Sequence, residues 1–257
     1  MALDTNNDSN NNNNNYRPSN DGNHYFDVSS DATLAVENLS KVFESAAGRV
    51  VALRRINITV HKGEFVSIVG PSGSGKSTLL NILGALDRPS FGKLFIGGMD
   101  IFSLSDKEIA RMRNNLIGFI FQSYNLINRT TVQRNVEIPS IIARMSSKER
   151  ANRSARLLGI LGIATKAKFK PASLSGGQQQ RVAIARSLMN NPTIILADEP
   201  TGNLDTKTGS EVFDLLRLLS SKYRRTIIMV THNAELAKKT DRSIYIRDGQ
   251  IEKEILY

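Results

Sequence analysis

Gly70-Pro71-Ser72-Gly73-Ser74-Gly75-Lys76-Ser77 follows the apolar run Phe65-Val66-Ser67-Ile68-Val69 and opens a segment, Lys76 to about Ala85, that reads as a helix. The octet matches G-x-x-x-x-G-K-[ST] in the setting that gives the pattern meaning, between a strand buried on both faces and a helix. Glycines permit positive φ angles and close backbone approach, so successive N–H groups converge on an anion at the helix N-terminus. Lys76 adds a point charge toward the outer phosphates of a nucleotide. The Ser77 hydroxyl is a candidate Mg2+ ligand, and Thr78 continues the binding set along the first turn. A Gly/Ser turn with an incidental lysine is the competing account, and the eight placed positions speak against it.

Ile194-Ile195-Leu196-Ala197-Asp198-Glu199 is an apolar strand that ends in two carboxylates. Such strands end beside the phosphate loop in an open α/β sheet, where Asp198 would hold Mg2+ through water. Glu199 then faces the position of an attacking water, and as a general base it would contribute about 10²–10⁴ in rate. Upstream, Leu174-Ser175-Gly176-Gly177-Gln178 starts a helix with two glycines and a serine. This is a second anion-binding helix N-terminus, without a lysine. Its distance in sequence from Lys76 is odd for one site. It makes sense if two molecules face each other, each lending Ser175, Gly177 and Gln178 to the other's nucleotide.

Taken together these motifs resemble the ATP-binding-cassette family, whose signature is that pentapeptide just upstream of the acidic strand. The resemblance covers nearly all of Thr33 to Tyr257. It implies an α/β P-loop NTPase with a mostly parallel sheet, an N-terminal antiparallel β subdomain and an inserted helical subdomain at about 123–173. It also implies MgATP as the bound nucleotide and an ATP-dependent homodimer, or a pair with a similar cassette. By the same resemblance Gln122 matches the family's Gln loop, touching Mg2+ or the attacking water. Ser77, Asp198 and Gln122 would be the metal set, and Lys76, Gln122, Glu199 and His232 the catalytic set. His232 ends a strand and would reach the γ-phosphate, and Thr201-Gly202-Asn203-Leu204-Asp205 would link the opposing sites. Phe43 stands where the family usually has a Tyr that stacks on adenine; the ring is kept and the hydroxyl lost. His24 and His61 match nothing.

Gly118-Phe119-Ile120-Phe121-Gln122-Ser123-Tyr124-Asn125-Leu126-Ile127 and Thr131 to Glu137 resemble the macrolide-export and lipoprotein-release branch. That resemblance implies a separate integral permease, export or extraction of a substrate, and docking of the permease near Tyr124, Leu126 and Ile127. The expected location is peripheral, on the cytoplasmic face of the cell membrane. Two rival readings remain. One is an ATPase of a signalling or cell-division complex that pulls on a membrane partner. The other is a soluble cassette acting on nucleic acid, disfavoured because the chain shows no coiled-coil insertion, Cys cluster or second cassette.

Composition sets outer bounds. The chain has 257 residues, 40% hydrophobic and 23% charged, which is ordinary for a globular protein. No apolar run approaches the ~20 residues that span a bilayer. Without cysteine there are no disulfides and no thiolate metal sites. Residues 1–32 are rich in Asn, Asp and Ser and read as a flexible tail, leaving 33–257 as the ATPase domain. The net charge of +10 is local: eight basic residues from Arg144 to Lys170 face Glu149 alone. A solvated helix face and a surface held near anionic lipid both fit that run. Nucleic acid is not expected, because only Phe169 interleaves with the charges.

Overall fold

The computed structural model describes residues 32–45 and 48–257. The Asn-rich tail lies outside the described residues but for Ala32, and so does His24. In chain order the elements are β1 (Ala32–Ser45), β2 (Gly48–His61), β3 (Phe65–Val69), α1 (Lys76–Leu83), β4 (Phe91–Ile96), β5 (Met99–Asp100), α2 (Asp106–Leu116) and β6 (Ile117–Phe121). Then follow α3 (Val132–Ile142), α4 (Ser147–Ile160), α5 (Gly176–Ser187), β7 (Ile194–Asp198), α6 (Thr206–Ser221), β8 (Thr226–Val230), α7 (Ala234–Ala237), β9 (Arg242–Arg247) and β10 (Gln250–Leu256). Strands β2-β1-β4-β5 form an antiparallel sheet. A second sheet runs β10-β9-β3-β8-β7-β6 and is parallel except for the β9–β10 hairpin.

The continuous apolar runs of the parallel strands are explained by what covers them. Successive strand residues point to opposite faces. Val66, Ile68, Ile194, Leu196, Ile228 and Val230 therefore join α1, α2 and the antiparallel sheet in one core. Phe65, Ile195, Ala197, Ile227 and Met229 join α3, α4, α5 and α6 in the other. With helices on one side and helices plus a second sheet on the other, neither face meets water. The C-terminal ends of β3, β7 and β8 lie side by side, since Ile68 and Asp198 both pair with Val230.

Two helical expectations need correction. The stretch Val132 to Leu161, whose apolar spacing at three and four residues reads as one helix, is two, because Arg144 turns left-handed (φ 59°) and Ser146 caps α4 by accepting the Glu149 N–H. Helix α1 stops at Leu83, since Ala85 has φ 50° and cannot continue a right-handed helix. Helices α2 and α6 were not anticipated. Each announces itself by a cap: Ser105 and Glu108 form a reciprocal capping box, and Asp205 accepts the Thr208 N–H.

The packing makes one stability prediction. Phe213 of α6 is buried and stacks on Phe65, with ring centroids 5.4 Å apart. Phe213→Ala is expected to cost about 3–5 kcal/mol. Urea denaturation should show a lowered midpoint at an unchanged slope.

Candidate nucleotide site

Gly75 caps α1 with φ 101°, and no side chain bonds the first N–H groups of that helix. The loop is pinned on both sides. A Cβ added at Gly75 would lie 2.5 Å from the Ala52 carbonyl oxygen, and one at Gly70 only 2.1 Å from that of Ile246. Glycine is required there. The turn between β9 and β10 adds a brace, with the Gly249 N–H donating to the Ser74 carbonyl (3.1 Å) and the Arg54 N–H to the Gly249 carbonyl (2.7 Å). Lys76 is buried and its ammonium donates to the Pro71 carbonyl at 2.7 Å, so the charge is held over the loop. Gly73, Gly75, Lys76, Ser77 and Thr78 line a cavity of about 500 Å³ with Val50 and Val51 of β2. Phe43 pairs with Val50 across the hairpin and is 44% exposed, a ring available for stacking, with the Lys41 ammonium 4.9 Å from its centroid.

Asp198 ends β7 between Phe121 and Val230 and shares a hydrogen bond with the Ser77 side chain. Burial raises its pKa, the neighbouring Glu199 charge raises it further, and the Ser77 bond and Lys76 only partly oppose this. Glu199 has φ 43°, a left-handed conformation that costs a non-glycine residue roughly 1–2 kcal/mol. The bend is held by its N–H, which donates to the Val230 carbonyl at 3.0 Å. It also turns the carboxylate toward His232, whose Nδ1 donates to Oε2 at 3.0 Å. Nδ1 must then carry a proton. Glu199 and His232 line a second cavity of about 350 Å³ with Gly202, Leu204 and Asp205.

Gln122 follows β6 directly, but its amide is engaged. Nε2 donates to Asn203 Oδ1 (3.2 Å) and Asn203 Nδ2 donates to the Gln122 carbonyl (3.0 Å). The amide stays close to the acidic group all the same: a Cβ on Gly202 would lie 2.8 Å from Gln122 Nε2 and 3.2 Å from Glu199 Oε2. Ser175 and Gln178 form a capping box at the start of α5, and a Cβ at Gly177 would lie 2.4 Å from the Thr208 methyl. Ser175, Gly177 and Gln178 line neither of the two cavities. The chain thus brings Lys76, Ser77, Asp198, Glu199, His232 and Gln122 to one edge of the sheet, while the pentapeptide adds no lining residue to either cavity.

A family model for ABC transporters matches residues 53–202. The chain belongs to the ABC transporter family. The cassette is 51% identical over 212 residues to an uncharacterised ABC transporter ATP-binding protein of Thermotoga maritima, covering 82% of this chain and 90% of that one. It is also 51% identical over 224 residues to MacB of Bartonella henselae, a macrolide export ATP-binding/permease protein; 86% of the cassette is covered but only 34% of MacB. The dimeric structure of MJ0796, an ABC transporter cassette of Methanocaldococcus jannaschii, matches with a TM-score of 0.81 at 44% identity. That match covers 87% of this chain and 98% of MJ0796, as does a second MJ0796 dimer in a post-hydrolysis state bound to ADP and Pi. The cassette is a P-loop α/β ATPase with an antiparallel β sheet and a mostly parallel one.

Two contacts escaped the reading of the sequence. Arg186 of α5 donates from Nη1 to the Asn125 carbonyl (2.5 Å) and from Nη2 to the Tyr124 carbonyl (2.8 Å). It clamps two successive left-handed residues, Tyr124 (φ 58°) and Asn125 (φ 49°), just after Gln122. The other is the hold on Gln122 by Asn203, which the sequence placed only in the linking segment. The consecutive Gln-Ser-Tyr-Asn run and the Arg at the end of the signature segment were the available signals. Of the suggested docking residues, Ile127 is 51% exposed, Leu126 packs on the core, and Tyr124 lies against the start of α5.

Asp198 yields a pH prediction. Its raised pKa means the folded state holds this proton more tightly than the unfolded chain. The associated stability is present below the ordinary carboxylate range and is lost as pH rises through the raised value. At neutral pH the ionised group is therefore a burden on the nucleotide-free fold. Asp198→Asn is expected to raise the Tm of the nucleotide-free cassette at pH 7, with the gain shrinking toward pH 4, and to remove most of the Tm increase given by MgATP. Scanning fluorimetry across pH with and without MgATP checks both.

Proposed function

We propose that two copies of the cassette close on two MgATP, and that hydrolysis opens them to drive a separate integral permease. The observation that carries this reading is the position of Ser175. Helix α5 begins with Gly176 and Gly177 and has no acidic residue in its first turn; only the neutral Ser175–Gln178 capping box covers that start, which an anion could replace, yet Ser175 lines neither cavity of its own chain. A facing copy would complete the site, and the dimeric MJ0796 structures support that arrangement.

Within one site the roles follow from the geometry. Lys76 leaves the Pro71 carbonyl for the β- and γ-phosphates, and the loop amides hold the remaining oxygens. Ser77 and Asp198 are hard oxygen donors on adjoining elements, a set that suits Mg2+ together with phosphate and water. Among the described residues no cluster of three or more His, Cys, Asp or Glu exists to hold a metal without the nucleotide. When bound, the ion neutralises charge on the β- and γ-phosphates. Glu199 accepts a proton from the attacking water, and His232 holds that carboxylate in place and reaches toward the γ-phosphate. Gln122 must leave Asn203 to reach the nucleotide, which moves the loop Tyr124–Ile127 against the permease.

No helix among the described residues is long and apolar enough to cross a membrane. The Thermotoga relative, an ABC transporter ATP-binding protein covered over 90% of its length, supports a cassette on a chain of its own, which would act beside its permease on the cytoplasmic face. The MacB relatives, which the chain spans over about a third of their length, support an export or extraction role. Glu199→Gln is expected to lower turnover about 10²–10⁴-fold while retaining ATP. Size-exclusion chromatography should then show an ATP-dependent dimer. A strictly monomeric variant with ATP bound would refute the sandwich. Membrane co-purification with an integral subunit tests the permease separately.

A further inference from the structure

A cavity of about 760 Å³ lies apart from the nucleotide site. It opens between α4 and the connection from α6 to β8, and it shares no lining residue with either cavity described above. Asn191 and Arg225, on its wall, stand just before β7 and β8 at their N-terminal ends, whereas Asp198 and Val230 lie at the opposite ends. Five residues of strand, about 16 Å, separate the two locations.

The lining is cationic over an apolar floor. Lys148, Arg153 and Arg156 come from α4, so the basic run seen in the sequence is not merely a solvated face: part of it turns into a concavity. Arg225 meets them from the other side. Glu149 is the one carboxylate among the described lining residues. Arg225 is fixed from behind, donating to the Pro192 carbonyl (2.8 Å) and to the Asn191 side chain. Burial lowers the pKa of both Arg153 and Arg225; Glu149 works against this at Arg153, and Arg153 itself presses on Arg225. Two partly buried guanidinium groups repelling one another are relieved by an anion between them. The fork of a guanidinium matches phosphate in two parallel hydrogen bonds. The volume is that of a small-molecule pocket, and Leu219 and Tyr223 supply apolar surface.

We propose that this cavity binds a small amphipathic organic phosphate, its head between Arg153 and Arg225 and its apolar body against Leu219 and Tyr223. The source is either a free phosphate or a lipid headgroup. The test is isothermal titration of hexyl phosphate into the full chain, with MgADP saturating so that the phosphate loop is occupied. Saturable binding is expected, at least tenfold tighter than that of inorganic phosphate. Arg153→Gln should weaken it at least tenfold, Arg153→Lys by less, and Lys168→Gln, which removes an exposed cation outside the cavity, should leave it unchanged. An unaltered unfolding midpoint and MgATP affinity establish that the variants fold. Co-sedimentation with phosphatidylglycerol vesicles separates the sources. Vesicle binding that hexyl phosphate competes away and Arg153→Gln abolishes assigns a lipid headgroup; hexyl phosphate binding without vesicle binding assigns a free phosphate. Absence of saturable binding, or equal loss in Arg153→Gln and Lys168→Gln, overturns the site in favour of diffuse surface charge.

Discussion

Unsatisfied N–H groups at the start of a helix attract negative charge, and among the described α-helices only the start of α1 has no side-chain cap. The other helices satisfy this need themselves: α2 and α5 by capping boxes, α4 by Ser146 with Glu149 in its first turn. Helix α1 does not. Gly75 caps it without a side chain, and no acid stands in its first turn. The negative charge that completes α1 must come from outside the chain. Two-sided burial of β3, β7 and β8 fixes where this happens, because it delivers the loop, the two carboxylates and His232 to a common edge of the sheet.

The nucleotide-free arrangement ties down three of the groups that the proposed chemistry uses. Lys76 is held by Pro71, Gln122 by Asn203, and Glu199 by His232. Each contact is a hydrogen bond between groups that ATP or water would also satisfy. The exchange on binding is therefore close to balanced, as a reversible cycle requires, and differential contacts between the open and closed states set its direction. In the proposed cycle Arg186 would be a mechanical link, since it joins α5 to the loop that follows Gln122.

What the sequence disclosed follows from how far each feature reaches. The octet from Gly70 to Ser77 was legible because its glycines answer a local conformational demand. The strands were legible because burial on both faces leaves continuous apolar runs. Helix α2 was missed although Ser105 and Glu108 marked its start, and α3 merged with α4 because apolar spacing continues across the break. That break rests on the left-handed turn at Arg144, which the residue type does not reveal. The pairs Gln122–Asn203 and Arg186–Tyr124 join positions 81 and 62 residues apart, a separation that no spacing rule bridges. The basic run was visible as charge, but its concavity exists only once Arg225 is folded against α4.

Helix α5 has 12 residues and so spans about 18 Å. Ser175 stands at one end, where the proposed sandwich directs it to the neighbouring molecule's nucleotide, and Leu188 at the other end lines the basic cavity. Between them Val182, Ala183, Ile184 and Ala185 are fully buried. A rod gripped along its middle behaves as a rocker: tilting one tip displaces the other. Closure of the dimer would be felt where the arginines meet, and whatever settles among them would set how freely the pair can close.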